Sequence, residues 1–268
     1  MMNLNLTPPH WFEGLAAACQ DLRQLWPQAW PGLPAIAQLC SRSLALEEAS
    51  EPEVVAMRRF TLAVAQDLEA QARQRPSGQE PRYHNRLHTA DVMLTATTLL
   101  HAQQATAGAL ARPWAAATLA AATAHDFGHP GGVNREPFEF EAQSWAALAR
   151  HAQGLPRAWC ERIESLILHT DPRVVADNHR KVADQPFAWS LPWCQVLLNE
   201  ADILVSASAR FGPALSQALA QEWERAGVPA HASVATPAGR ALFLRSVQFS
   251  SPAAQAMGMS TQIQQQLP

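Results

Sequence analysis

Tyr83-His84-Asn85-Arg86-Leu87-His88-Thr89-Ala90-Asp91-Val92 and His125-Asp126-Phe127-Gly128-His129-Pro130-Gly131-Gly132-Val133-Asn134 decide how this chain is read. The two blocks hold four of the ten histidines in the chain. His84 and His88 are four residues apart, so on a helix they leave one face about a turn from each other. His125-Asp126 ends an Ala/Leu pattern of helical period just before a Gly/Pro turn. Imidazoles and a carboxylate gathered this way suit a divalent metal. A lone His-Asp pair or a lone H-x3-H would mean little; each block here has the neighbours that make the joint pattern specific.

Working outward, the segments on either side read as helices. Residues 10–26 repeat Trp11, Leu15, Ala18, Leu22 and Leu25 at helical spacing, and a second helix is expected over 34–48. Ser50 before Glu51-Pro52-Glu53 starts a third, with Pro76-Ser77-Gly78 ending it. The ligand-bearing helix is expected at 85–104, with His101 at its surface or in packing, and the Ala-rich helix at 113–125. Further helices are expected at 137–151, 157–169, 191–208, 212–226 and 237–250. The polar stretch 172–190 reads as a surface loop able to overhang the site, and the Gln-rich tail 261–268 as a fraying end. The fold class is therefore all-α, a compact helical bundle. One catalytic domain is expected over 1–268, with 1–80 as helical support without a chemical motif and 81–250 as the core.

Composition agrees. Hydrophobic residues make up 48% of the chain and charged ones 16%, enough apolar surface for a sizeable core. A single Tyr and the lack of long Val/Ile/Thr alternation argue against strands. The net charge of −3, without a basic block, gives no footprint for nucleic acid. No apolar run reaches membrane-spanning length, and the first ten residues show no secretion signal. Cys19, Cys40, Cys160 and Cys194 form no C-x-x-C pair; scattered thiols predict a cytoplasmic protein.

The YHNxxHxxDV and HDxxHxGxxN blocks resemble the class I cyclic-nucleotide phosphodiesterases, within the HD-domain metal-dependent phosphohydrolases. The resemblance is specific over roughly 83–134, looser to about 250, and absent before 80. It implies two divalent ions (Zn, Mn, Mg or Fe), the first on His88, His125, Asp126 and Asp202. Asp202 also stands out unaided, because a carboxylate inside the apolar run 196–205 needs a cation. The resemblance further implies Asp126 as a bridge, a hydroxide between the ions as nucleophile, His84 as general acid to the leaving oxygen, and His129 on a phosphate oxygen or water. Asp91, Asn134 and Glu141 become candidates for holding the ligating histidines from behind.

The expected activity is hydrolysis of a small-molecule phosphodiester, foremost a 3′,5′-cyclic nucleotide. Alternatives are an HD phosphohydrolase on another phosphate ester or nucleotide, a di-iron HD oxygenase, and a binding protein that keeps the fold. Retention of His84 speaks against the last, since a binding module needs no acid. The family grips a purine with a Gln ahead of a Gly-Phe-Ile run. The corresponding stretch here, Gly239-Arg240-Ala241-Leu242-Phe243-Leu244, has none, and Gln248-Phe249 follow later. Phe243, Gln248 and Phe249 are thus the candidate substrate contacts, and weak discrimination between bases is expected.

Overall fold

In the computed structural model, which describes residues 10–75 and 80–268, a string of helices wraps the Ala-rich segment. The Pro76-Ser77-Gly78 break lies outside the described residues. The N-terminal helices are α1 (Trp11–Leu25), α2 (Leu33–Ser43) and α3 (Pro52–Gln74). They are followed by α4 (Arg86–Ala107) and α5 (Arg112–Ala124). Next come α6 (Glu139–Ala152), α7 (Arg157–Leu168), α8 (Pro172–Val182) and α9 (Leu191–Ala207). The chain closes with α10 (Gly212–Arg225), α11 (His231–Val234), α12 (Pro237–Ser246), α13 (Pro252–Ala256) and α14 (Met259–Gln264). No strand occurs among the described residues.

Helix α5 sits deepest. Every residue from Ala115 to Ala124 is buried, and seven of these are alanine. Such small side chains let neighbouring backbones approach closely, and α3, α4, α7 and α9 all pack on it. One apolar core runs from Trp11 on α1 to Met259 on α14, so the N-terminal helices share the core of α4, α5 and α9. His101 packs as expected, bonded to the Ser43 hydroxyl at 2.9 Å and stacked on Trp11.

Three expectations are corrected. The stretch 172–190 is not an irregular loop: Asp171 caps α8 by accepting from Arg173 N–H at 2.9 Å, and Pro172 takes the first turn. Its polar composition hid a narrow buried face of Asn178, His179 and Val182 against α9. The helix expected over 237–250 stops at Ser246, because Glu200 on α9 accepts from Ser250 N–H and Ser251 N–H at 2.6 and 2.7 Å and forces a new start at Pro252. The Gln-rich tail is tied down, with Gln266 donating to Ala207 O at 2.9 Å and Gln262 O at 3.1 Å. No helix of the described residues is long and apolar enough to cross a membrane.

Candidate metal centre

Three helices bring the site together. Asn85 caps α4, its side chain accepting from Leu87 N–H at 2.9 Å and His88 N–H at 3.2 Å. This fixes His84 just before the helix and His88 in its first turn. Helix α5 ends at His125, and Asp126 follows in the turn. Asp202 comes from α9.

His88 Nε2 lies 3.2 Å from both Asp126 Oδ2 and Asp202 Oδ1. His125 Nε2 lies 3.2 Å from Asp126 Oδ2 and 3.6 Å from Asp202 Oδ1. None of these contacts has hydrogen-bond geometry, so both buried Nε2 atoms are left without a partner. Such orphaned groups are costly. His125 Nδ1 sits 3.1 Å from Ala122 O, which places the ring proton on Nδ1 and leaves an Nε2 lone pair facing the carboxylates. Donors about 2.0–2.2 Å from a shared ion stand roughly 3.0–3.5 Å apart. The imidazole and carboxylate set therefore fits a divalent cation.

The electrostatics make the same demand. Burial opposes charge on His88, yet Asp126 and Asp202 outweigh it and push the imidazole up to about 9. His125 is raised for the same reasons. Burial likewise opposes charge on Asp126 and Asp202, but the imidazoles hold both carboxyls below their ordinary range. The cluster calls for positive charge, which an ion supplies.

A second group lies beside it: His84, Asp126 and His129 have donor atoms within 4.8 Å of one another. His84 Nδ1 is held by Glu222 of α10 in a very short contact. Glu222 also accepts from the backbone N–H of Tyr83 at 2.7 Å and of His84 at 3.0 Å. Burial disfavours charge on Glu222, but these partners hold it below the usual carboxylate range. Among the described residues His84 Nε2 makes no hydrogen bond. His129 stacks on His84, ring centres 3.8 Å apart, and accepts from Gly131 N–H through Nδ1 at 3.0 Å, so its proton belongs on Nε2. Burial and the charge of His84 push His129 down to about 4, which keeps it a neutral donor. Gly131 is required here: its φ is +86°, and a Cβ would stand 3.0 Å from Glu222 Cγ.

The remaining candidates stand apart from the ligating rings. Asp91 gives both oxygens to Arg23 of α1, at 2.9 and 2.6 Å. Asn134 donates to Glu141 at 2.8 Å and accepts from Phe140 N–H at 3.0 Å, so the pair fixes the loop after His129. Among the described residues neither Asp91, Asn134 nor Glu141 bonds to His88 or His125; His125 is held by a carbonyl instead. Phe243 is half-buried against Ala207, Leu244 and Ile263. Phe249 is half-buried, Gln248 is exposed, and among the described residues no hydrogen bond or ring contact joins any of the three to His88, His125, Asp126 or Asp202. Glu222 escaped the sequence reading because one buried Glu in an ordinary amphipathic helix gives no signal. Tyr83 carried more: it opens the motif, and its hydroxyl meets Ser206 Oγ of α9 at 2.7 Å.

Comparison with known proteins finds a family match over part of the chain and a likeness in fold. Residues 83–153 match the family described as 3′5′-cyclic nucleotide phosphodiesterase. The fold is similar to the phosphodiesterase domain of the RhoPDE fusion protein from the choanoflagellate Salpingoeca rosetta (TM-score 0.60, 18% identity, 85% of each chain covered). It is also similar to LmjPDEB1, solved in complex with IBMX (TM-score 0.65, 15% identity, 92% of this chain and 88% of that one). No curated protein matches the chain. Over residues 83–153 the chain is thus similar to the 3′5′-cyclic nucleotide phosphodiesterase family, and its all-α fold is similar to that of phosphodiesterase domains.

Proposed function

We propose that the whole chain acts as one catalytic domain, hydrolysing a phosphodiester bond of a 3′,5′-cyclic nucleotide with two divalent ions. The observation that carries this is the pair of buried, unpartnered Nε2 atoms of His88 and His125 facing Asp126 and Asp202. Those four residues would hold the first ion, and Asp126 would be shared with the second. When bound, such ions polarise a phosphoryl oxygen and make water nucleophilic near neutral pH. The chain's own groups do the rest. Glu222 accepts from Nδ1–H of His84, so the imidazolium form would give its Nε2 proton to the leaving oxygen and keep Nδ1–H. His129 presents an Nε2–H to a phosphate oxygen. Four free cysteines, three of them buried, suit a reducing compartment such as the cytoplasm.

Base selection follows from Arg240. It occupies the place of the family's purine-gripping Gln, but its guanidinium donates to the carbonyls of Ser206, Ala207 and Ser208 and to Gln266, closing the end of α9. It is not free to read a base. Cyclic AMP and cyclic GMP should be cleaved with kcat/KM within about tenfold, a gap of ~1.4 kcal/mol, and Gln248→Ala should leave that ratio unchanged. The test is a panel of both cyclic nucleotides and an activated nitrophenyl diester with Mn, Mg or Zn. Turnover of none of them with a full complement of metal would refute the hydrolase reading.

A further inference from the structure

A cleft of about 40 Å³ opens onto His84, Asp126 and His129, and is also lined by Leu68 and Gln71 of α3 and by the exposed Arg75 just past the end of that helix. A buried water needs roughly 10–15 Å³ of such space, so the cleft takes about three waters or the terminal oxygens of one phosphoryl group. Two arginines, Arg75 and Arg86, and two carboxylates, Glu80 and Asp126, line it. Glu80 is committed to Arg86 at 2.8 and 2.9 Å, and Arg86 also binds Glu69. Arg75 makes no ion pair with any described carboxylate. A guanidinium presents a planar fork of donors that matches phosphoryl oxygens, and it stays charged at any working pH. Helix α3 lies outside the matched segment 83–153, in the part of the chain whose sequence carries no chemical motif.

We propose that Arg75, with Gln71 beside it, binds a phosphoryl oxygen in this cleft, so that the N-terminal helices supply an anion-binding residue to the metal centre. The identity of the anion, a substrate diester or a product phosphate, rests on the hydrolase reading; the anion site itself rests on the cleft and its unpaired cation.

The test uses metal-loaded full-length protein and two readouts: inorganic phosphate binding by calorimetry, and KM and kcat on a cyclic nucleotide. Arg75→Ala should weaken phosphate binding, raise KM, or both, by about five- to tenfold, the scale of one charged hydrogen bond at a partly wet site. The effect on kcat should be smaller. Arg75→Lys should recover part of the loss, and Gln71→Glu, which places a carboxylate in the wall, should mimic it. A change in KM alone assigns the site to substrate, and a change in phosphate affinity alone assigns it to product. If neither quantity moves more than twofold in Arg75→Ala and Gln71→Glu, the proposal is wrong. Arg75-dependent phosphate binding without any turnover in wild type would overturn the hydrolase reading and leave the anion site standing.

Discussion

Two buried charged clusters hang on α4 within a turn of each other, and they are finished differently. Asp91 meets Arg23 through two hydrogen bonds; Arg23 also donates to Cys19 O at 3.0 Å and lies 4.4 Å over the Phe211 ring. Every charge there has its partner inside the protein. Three residues earlier, His88 joins His125, Asp126 and Asp202 in a cluster of similar burial that ends with orphaned nitrogens. A chain able to build the first cluster did not leave the second incomplete for want of a partner. The mismatch fits a cation, and the matched cluster shows what holds the frame around it. Arg23 ties α1 to α4 and, through Phe211, to the start of α10, the helix that carries Glu222.

A break beside the unmatched cluster should cost chemistry and spare the fold. His84→Ala should keep its metal and lose about 10²–10⁴-fold in rate on a poor leaving group. The loss on an activated nitrophenyl ester should be much smaller, because that leaving oxygen needs less protonation. Equal losses on both esters in steady-state kinetics would remove His84 from the acid role.

Breaking the matched side should do the reverse. Arg23→Ala leaves Asp91 buried and unpaired, which costs about 3 kcal/mol or more. Denaturant unfolding should show that loss while elemental analysis finds the metal still bound. Loss of metal at full stability would mean that Arg23 belongs to the site.

How much of this contrast was legible in the sequence depends on what each residue announces. His88, His125 and Asp126 stood out because their spacing on helices and at a turn is rare by chance. Asp202 stood out because a carboxylate inside an apolar run is unexplained without a cation. Helix α5 was readable from its alanines, whereas α8 was masked by its polar composition, although Val174, Val175 and Val182 recur at helical spacing. Arg23 and Glu222 were invisible for a different reason. Each is an ordinary charged residue on an amphipathic helix, and its role comes from a partner 68 or 138 residues away in the chain. The three substrate candidates followed from a loose resemblance late in the chain, where the helix itself ends four residues early.

A finer test of the scaffold uses Glu69, which accepts from Trp30 Nε1–H and Leu33 N–H at 3.1 Å and binds Arg86. Burial works against its charge, but these partners hold its carboxyl below the ordinary range. A depressed carboxylate contributes stability that is present above its unfolded pKa, near 4.3, and lost as pH falls through the folded value. Glu69→Gln should therefore be about 1 kcal/mol less stable than wild type at pH 7. The gap should close below about pH 4. Melting temperatures across that range check it, and a gap constant with pH would show that the charge of Glu69 contributes nothing.

We propose that the unmatched cluster would hold two divalent ions sharing Asp126. Elemental analysis of the purified wild type and of Asp126→Ala, both dialysed against Mn or Zn, tests it most directly. The account predicts two ions per chain in wild type and loss of metal in the variant, with the helical circular dichroism unchanged. Full wild-type metal content in folded Asp126→Ala would contradict it.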